Sequence, residues 1–204
     1  MIAACRKPQH ASDRFQNLEN VKLTQLDVSD PQSVQTWAEE VRRLTPHVDM
    51  LINNAGIYGP KVHLDDITAT DMMNVFAVNA VGPLMVVQQL RKQGVMGGSS
   101  PTLVANVTSK VGSITDNTSG GRYAYRASKN ALNIITKSLS IDLADENVTC
   151  TLLHPGWVQT DMTEGKGLIT PSESVAGMLN VLLQKERHEL QGMWYDYKNE
   201  SIPW

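Results

Sequence analysis

Apolar residues in this chain fall into short continuous runs, separated by longer stretches in which they recur at helical spacing. That alternation is the pattern of strands and helices taking turns along a chain. Ile2 to Cys5 reads as a short apolar strand ending at Arg6-Lys7-Pro8. Val21 to Val28, with Val21, Leu23, Leu26 and Val28 apolar, reads as a second. Ser29-Asp30-Pro31 offers a cap and a first-turn proline, and so predicts a helix running to about Leu44 with Val34, Trp37, Val41 and Leu44 on one stripe. Val48 to Ile52 is the next strand and runs into Asn53-Asn54-Ala55-Gly56. Beyond it the pattern predicts a long helix over 70–93, a buried strand over 102–108, and a polar loop over 110–121. A second long helix over 122–144, a strand over 148–153, a helix over 171–184 and a last strand over 193–197 follow. Strands apolar on both faces, with helices between them, imply one α/β domain whose doubly wound parallel sheet is covered on both sides. Ligands of such sheets sit beyond the carboxyl ends of the strands.

Composition narrows the picture. At 204 residues the chain suits a single domain, and no repeat or linker divides it. The formal net charge of -3 leaves no basic face for nucleic acid or anionic lipid. No unbroken apolar run approaches the roughly 20 residues of a membrane span, and the first residues lack the features of a signal peptide. Cys5 and Cys150 stand alone within apolar runs, which suits buried thiols in a reducing, cytosolic setting. Four Asn-x-Ser/Thr triplets, at Asn106, Asn117, Asn147 and Asn199, are then chance matches. No metal site is expected.

The chemistry concentrates in Tyr125-Arg126-Ala127-Ser128-Lys129, where Tyr125 and Lys129 share one helical face. A free tyrosine has a pKa of about 10, too high for ready proton exchange at neutral pH. A nearby ammonium favours the phenolate, which makes Tyr125 a plausible acid or base. The same chain carries Ser109 after a strand, Asn79 in the preceding long helix, and the Asn53–Gly56 run after the strand before that.

This ordered set resembles the short-chain dehydrogenase/reductase family, and Pro155-Gly156-Trp157-Val158-Gln159-Thr160 is similar to a further segment of it. The resemblance implies a Rossmann-type fold. It makes Tyr125 the proton donor to a carbonyl oxygen, Lys129 the group that lowers its pKa and binds the nicotinamide ribose, and Ser109 a hydrogen-bond donor to the substrate oxygen. Asn79 would hold a water in a proton relay. Ser109 precedes Tyr125 by sixteen residues, about three more than the family spacing, so an insertion is expected within 112–121, with Ser113 as the alternative serine. Tyr123 is the weaker tyrosine, because it lies off the helical face of Lys129.

The resemblance also assigns cofactor contacts. Asp27 and Val28 would meet the adenine, Asn53, Ala55 and Gly56 the adenosine ribose, and Pro155, Gly156, Val158 and Thr160 the nicotinamide. Arg6 at the tip of the first visible strand, with Lys7 beside it and no acid nearby, favours the 2′-phosphate of NADP(H). Asn117 to Arg126, His154 to Trp157 and the ending Ile202-Pro203-Trp204 resemble the sniffer- and C-factor-like carbonyl reductases, which reduce quinones and reactive carbonyls. On that likeness the C-terminus is expected to be complete, the partner a small-molecule carbonyl compound, and the full-length form a dimer or tetramer built on the two long helices.

The family's first strand and glycine-rich phosphate loop have no counterpart here, so an N-terminally truncated domain is expected, with a slot between the strands beginning at Ile2 and Val48. Two functional expectations follow: a reductase, or a truncated pseudoenzyme acting as an interaction or oligomer-modulating subunit.

Overall fold

The computed structural model describes residues 1–15 and 18–204. Its elements run β1 (Ile2–Cys5), α1 (Pro8–Phe15), β2 (Lys22–Gln25), α2 (Pro31–Leu44), β3 (Met50–Asn53), α3 (Ala69–Phe76), α4 (Gly82–Lys92), β4 (Thr102–Val107), α5 (Tyr123–Asp142), β5 (Val148–His154), α6 (Pro171–Gln184), α7 (Arg187–Leu190) and β6 (Trp194–Asp196). α1 and α7 have no forerunner in the hydrophobic pattern, because both are short and rich in polar residues.

The strands are parallel but form two sheets. β1 pairs only with β2, and β3-β4-β5-β6 form a separate four-stranded ladder. No ladder joins β1 to β3 among the described residues. β4 and β5 are buried almost throughout, as strands covered on both faces must be.

Hydrophobic packing spans the division where hydrogen bonds do not. One cluster takes Val34, Trp37 and Val41 from α2, Val86, Val87 and Leu90 from α4, and Leu51, Val104 and Cys150 from three strands of the larger sheet. Asp30 caps α2 by accepting from the Gln32 amide (2.9 Å), and Trp37 donates its indole N–H to Thr24 of β2 at 2.9 Å. Leu44, expected on the buried stripe, is 38% exposed because α2 ends there and Thr45 turns the chain away. Against the opposite face of the larger sheet, Val181 and Leu182 of α6 pack with Leu103, Ala105 and Leu153.

The long helix expected over 70–93 is continuous but not uniform. Between α3 and α4 it widens into one turn of π-helix, Ala77–Val81, with Asn79 at its centre. Such single wide turns are frequent at functional sites. Taken whole, Ala69–Lys92 is long and apolar enough by mean hydropathy, 1.3, to cross a membrane. Polar residues such as Asn79 interrupt it, so the expectation of no unbroken apolar run stands. In the fold this helix packs on α2 and α5. Cys5 is half-buried and Cys150 fully buried, and both are free thiols.

Candidate active site

The carboxyl ends of β3, β4 and β5 and the first turns of α5 meet at one place. Tyr125 lies in the first turn of α5, half-buried, with the Ser109 hydroxyl in hydrogen-bonding range of its phenol. Sixteen residues separate the two, and the intervening loop is held against the helix that follows it. Arg126 donates to the carbonyls of Val111 (3.0 Å) and Gly120 (3.2 Å), and Asn130 to that of Gly112 (3.0 Å). Gly112 packs so closely on α5 that a Cβ would lie 3.0 Å from the backbone of Lys129 and Asn130. Ser109 stays just past the end of β4, beside Tyr125. Ser113 is committed elsewhere: its buried hydroxyl donates to the Trp204 carbonyl (3.1 Å) and accepts from the Asp116 amide. Tyr123 is 39% exposed.

Lys129 is buried one helical turn on. Its Nζ donates to the Val107 carbonyl at 2.9 Å and stands 5.9 Å from the centre of the Tyr125 ring. Burial pulls its pKa from 10.5 down to about 8. The electrostatics of Tyr125 differ from the sequence expectation. Burial raises its pKa, the Ser109 hydrogen bond opposes that rise, and the cation acting on it is Arg122. The Lys129 ammonium points to the strand end instead of the phenol.

Asn79 does not bond its own helix. Its side-chain oxygen accepts from the Ile57 amide (2.8 Å), and its Nδ2 donates to the Ile57 carbonyl (2.8 Å) and the Ser128 hydroxyl (3.0 Å). These bonds clamp the loop after β3 to α5. Gly56 passes through the gap, where a Cβ would sit 3.4 Å from Asn79 Oδ1 and 3.5 Å from Lys129 Nζ. Asn53 is half-buried and donates to Asn106 (2.8 Å), which donates in turn to Thr136 (2.8 Å), so its amide braces β3 to β4. Ala55 is exposed at the same strand end.

Tyr58 opens the 58–65 loop, which the sequence places beside the substrate pocket, while Arg122 went unremarked as a site member. Tyr58 stacks on Tyr125 with ring centroids 4.8 Å apart, and the Arg122 guanidinium lies 5.8 Å from the Tyr58 centroid. Arg122 has a left-handed backbone, φ 53°, at the start of α5. Nothing in local spacing pairs them, since the Tyr58 loop reaches Tyr125 only through the fold. Lys61 from that loop pairs with Glu164 of the segment after β5, so the two loops meet across the mouth.

The remaining predicted residues divide into two groups. Beyond β5, the Pro155 carbonyl accepts from Ser174 (2.6 Å) and Gly156 has φ 83°. Val158 bridges to Ile169, and Thr160 caps a short turn. Beyond β1 and β2 stand Arg6, Asp27 and Val28. Ser29 donates both its backbone N–H (3.0 Å) and its hydroxyl (2.6 Å) to Asp27, and these bonds hold the carboxyl below its ordinary pKa, with a smaller pull from Arg6. A cavity of about 1270 Å³ carries Arg6, Asp27 and Val28 on one side and Asn53, Ala55 and Gly56 on the other.

For a dinucleotide the fit is at two ends. Arg6, Asp27 and Val28 suit an adenosine bearing a 2′-phosphate, and the buried Lys129 with its exposed neighbours suits the ribose and ring of a nicotinamide. Between them, the turn after β1 is Arg6-Lys7-Pro8, with no glycine to bring backbone amides onto a pyrophosphate.

Comparison with known proteins agrees with this architecture. The family model described as short chain dehydrogenase matches residues 2–168. The C-signal protein of Myxococcus xanthus is 44% identical over 163 residues, 78% of this chain and 95% of that protein. Among solved structures, NADPH-bound carbonyl reductase from chicken fatty liver superposes with a TM-score of 0.89 at 32% identity, over 100% of this chain and 87% of that one. Carbonyl reductase Sniffer of D. melanogaster does so with a TM-score of 0.90 at 27% identity and the same coverage.

Proposed function

The chain belongs to the short-chain dehydrogenase family of oxidoreductases, and from that membership we propose that it is an NADP(H)-dependent reductase of aldehydes, ketones and quinones. The observation that carries the reading is the Ser109–Tyr125 pair at the end of β4, with a buried lysine one helical turn beyond. The bound nicotinamide supplies hydride to the carbonyl carbon. Tyr125, raised above its usual pKa by burial, keeps its proton at neutral pH and gives it to the carbonyl oxygen as charge develops there. Ser109 donates to the same oxygen and steadies that charge. Lys129, buried with a pKa of about 8, would hold the nicotinamide ribose hydroxyls. Asn79 acts by fixing the 56–57 loop against α5, a firmer role than holding a relay water.

Arg6 and the absence of a nearby acid favour NADP(H) over NAD(H). The NADPH held by the chicken reductase supports the same choice. Tyr58 and the 161–167 segment border the site and favour planar, apolar carbonyl compounds. Exposed Met73, Ile134 and Ile141 on α3 and α5 supply an oligomer face. The pseudoenzyme reading has less support, because Ser109, Tyr125 and Lys129 lie together at one strand end.

Steady-state oxidation of NADPH by a quinone panel tests the reading. Tyr125→Phe is expected to lower kcat by about 10²- to 10⁴-fold, the usual worth of a positioned general acid, with NADPH affinity unchanged. Full activity in that variant would remove the assignment.

A further inference from the structure

His154 is the last residue of β5, and no step of the proposed reaction uses it. Its place follows from how the β4–β5 ladder ends. Thr108 donates its amide to the Leu153 carbonyl at 2.8 Å. By the alternation of a parallel ladder, the next two rungs belong to Pro155, whose N–H would go to Thr108 and whose carbonyl would receive the Lys110 amide. Both fail. Proline has no N–H to give, and the Pro155 carbonyl accepts from the Ser174 hydroxyl at 2.6 Å. The Lys110 amide donates instead to Nδ1 of His154 at 3.3 Å. An imidazole nitrogen thus stands where the ladder lacks a backbone acceptor.

That amide belongs to the residue after Ser109. Ser109 is extended, at φ -148° and ψ 139°, and the short turn Lys110–Gly112 begins directly beyond it. The Gly112 amide closes this turn on the Ser109 carbonyl at 2.8 Å. The peptide unit between Ser109 and Lys110 is therefore held at both of its polar atoms, its N–H by His154 and its C=O by Gly112. His154 is itself fixed, since its carbonyl accepts from the Tyr197 amide at 3.0 Å. For Nδ1 to accept, the ring must be neutral with its proton on Nε2. Burial keeps it so, with a pKa of about 4. Lys110 adds to that fall, while Asp196 from β6 and Asp116 from the 110–121 loop oppose it.

We propose that His154 is a positioning residue, which accepts from the Lys110 amide to fix the Ser109–Lys110 peptide and so keeps the Ser109 hydroxyl against Tyr125. Without the imidazole, that peptide is held on its carbonyl side alone and the serine swings with it. The effect on turnover rests on the reductase reading, whereas the effect on Tyr125 does not. A displacement of about 1 Å in a group that meets the transition state costs up to about 10²-fold in rate.

Two variants separate this role from simple packing. His154→Leu removes the acceptor and keeps an apolar filling, and His154→Asn returns an acceptor oxygen near the place of Nδ1. The first readout needs only the chain itself: titration of the Tyr125 ring by carbon-13 NMR, assigned with Tyr125→Phe. The Ser109 hydrogen bond lowers the Tyr125 pKa, so Ser109→Ala is expected to raise it. His154→Leu should raise it by a similar amount, the double variant no further, and His154→Asn should stay near wild type. The second readout is quinone reduction by NADPH. There His154→Leu is expected to lower kcat by about 10- to 100-fold at unchanged quinone KM, with no further loss in the Ser109→Ala background. Should the leucine variant lose its cooperative melt, His154→Phe, a ring without an acceptor, replaces it. A Tyr125 titration indifferent to loss of the imidazole would overturn the proposal, as would losses that add in full to those of Ser109→Ala. Full activity in both Ser109→Ala and Tyr125→Phe would instead remove the reductase reading, and the titration would still decide the role of His154.

Discussion

The two sheets of this protein are both parallel and differ in how they are held. β3 to β6 form a closed set of parallel ladders whose central strands are buried along nearly their whole length. Among the described residues β1 and β2 pair with each other alone, and Ala4 and Gln25 in them are exposed. Ser109, Tyr125 and Lys129 stand at the larger sheet and α5, while Arg6, Asp27 and Val28 stand at the ends of the smaller one. What joins the halves is the α2–α4 seam at one level and the Gly82–Val28 contact at the mouth. Side-chain packing thus carries across the division what hydrogen bonding does not.

Removing packing from the seam should break that arrangement first. Leu90 is fully buried between the halves, and Leu90→Ala is expected to cost about 3 kcal/mol, as for buried leucines generally. Hydrogen exchange should then show β1 and β2 opening well before β4 and β5. Equal acceleration in both sheets would mean that the halves form one cooperative unit.

Acid separates the halves by a second route. Burial lowers the His154 pKa from 6.5 to about 4. Between those values the unfolded chain takes up a proton that the native chain refuses, so stability is lost as pH falls from about 6.5 to about 4. Allowing for the partial exposure of the ring, this amounts to on the order of 2 kcal/mol. Asp27 on the smaller sheet has a lowered pKa, and its contribution is lost only as pH falls through the acid carboxylate range. Chemical denaturation at stepped pH should show the first loss in wild type and its absence in His154→Gln. An unchanged slope in that variant would place the acid sensitivity elsewhere.

Gly82→Ala should sharpen the contact at the mouth. The new Cβ would lie 2.7 Å from the Val28 carbonyl oxygen, so backbone must shift, at an expected cost of about 1.5 kcal/mol. NADPH affinity should fall with Val28 displaced, while quinone KM at saturating NADPH should hold. Loss of both together would show that the site is not divided in this way.

Much of this molecule was legible in its sequence. α6 has the bounds its hydrophobic pattern predicts, and the strands fall where apolar runs place them, because parallel strands buried on both faces leave little room for other patterns. The slot between β1 and β3 follows from the same order of elements. α1 and α7 were not legible, since short polar helices have no periodicity to read. Nor was the partnership of Tyr58 with Tyr125, which joins residues sixty-seven positions apart (125 − 58) through a loop without pattern.

Sequence alone determined the class of fold, the order of its longer elements and the family, because periodicity and spacing are properties of the chain itself. Tertiary structure decided how the side chains of the site are tuned. It set Ser109 against Tyr125 by docking the 110–121 loop on Arg126 and Asn130, and turned the Lys129 ammonium to the Val107 carbonyl. It also made burial the main influence on the Tyr125 phenol. Distance and desolvation act through space, and the chain brings these groups together only when it folds.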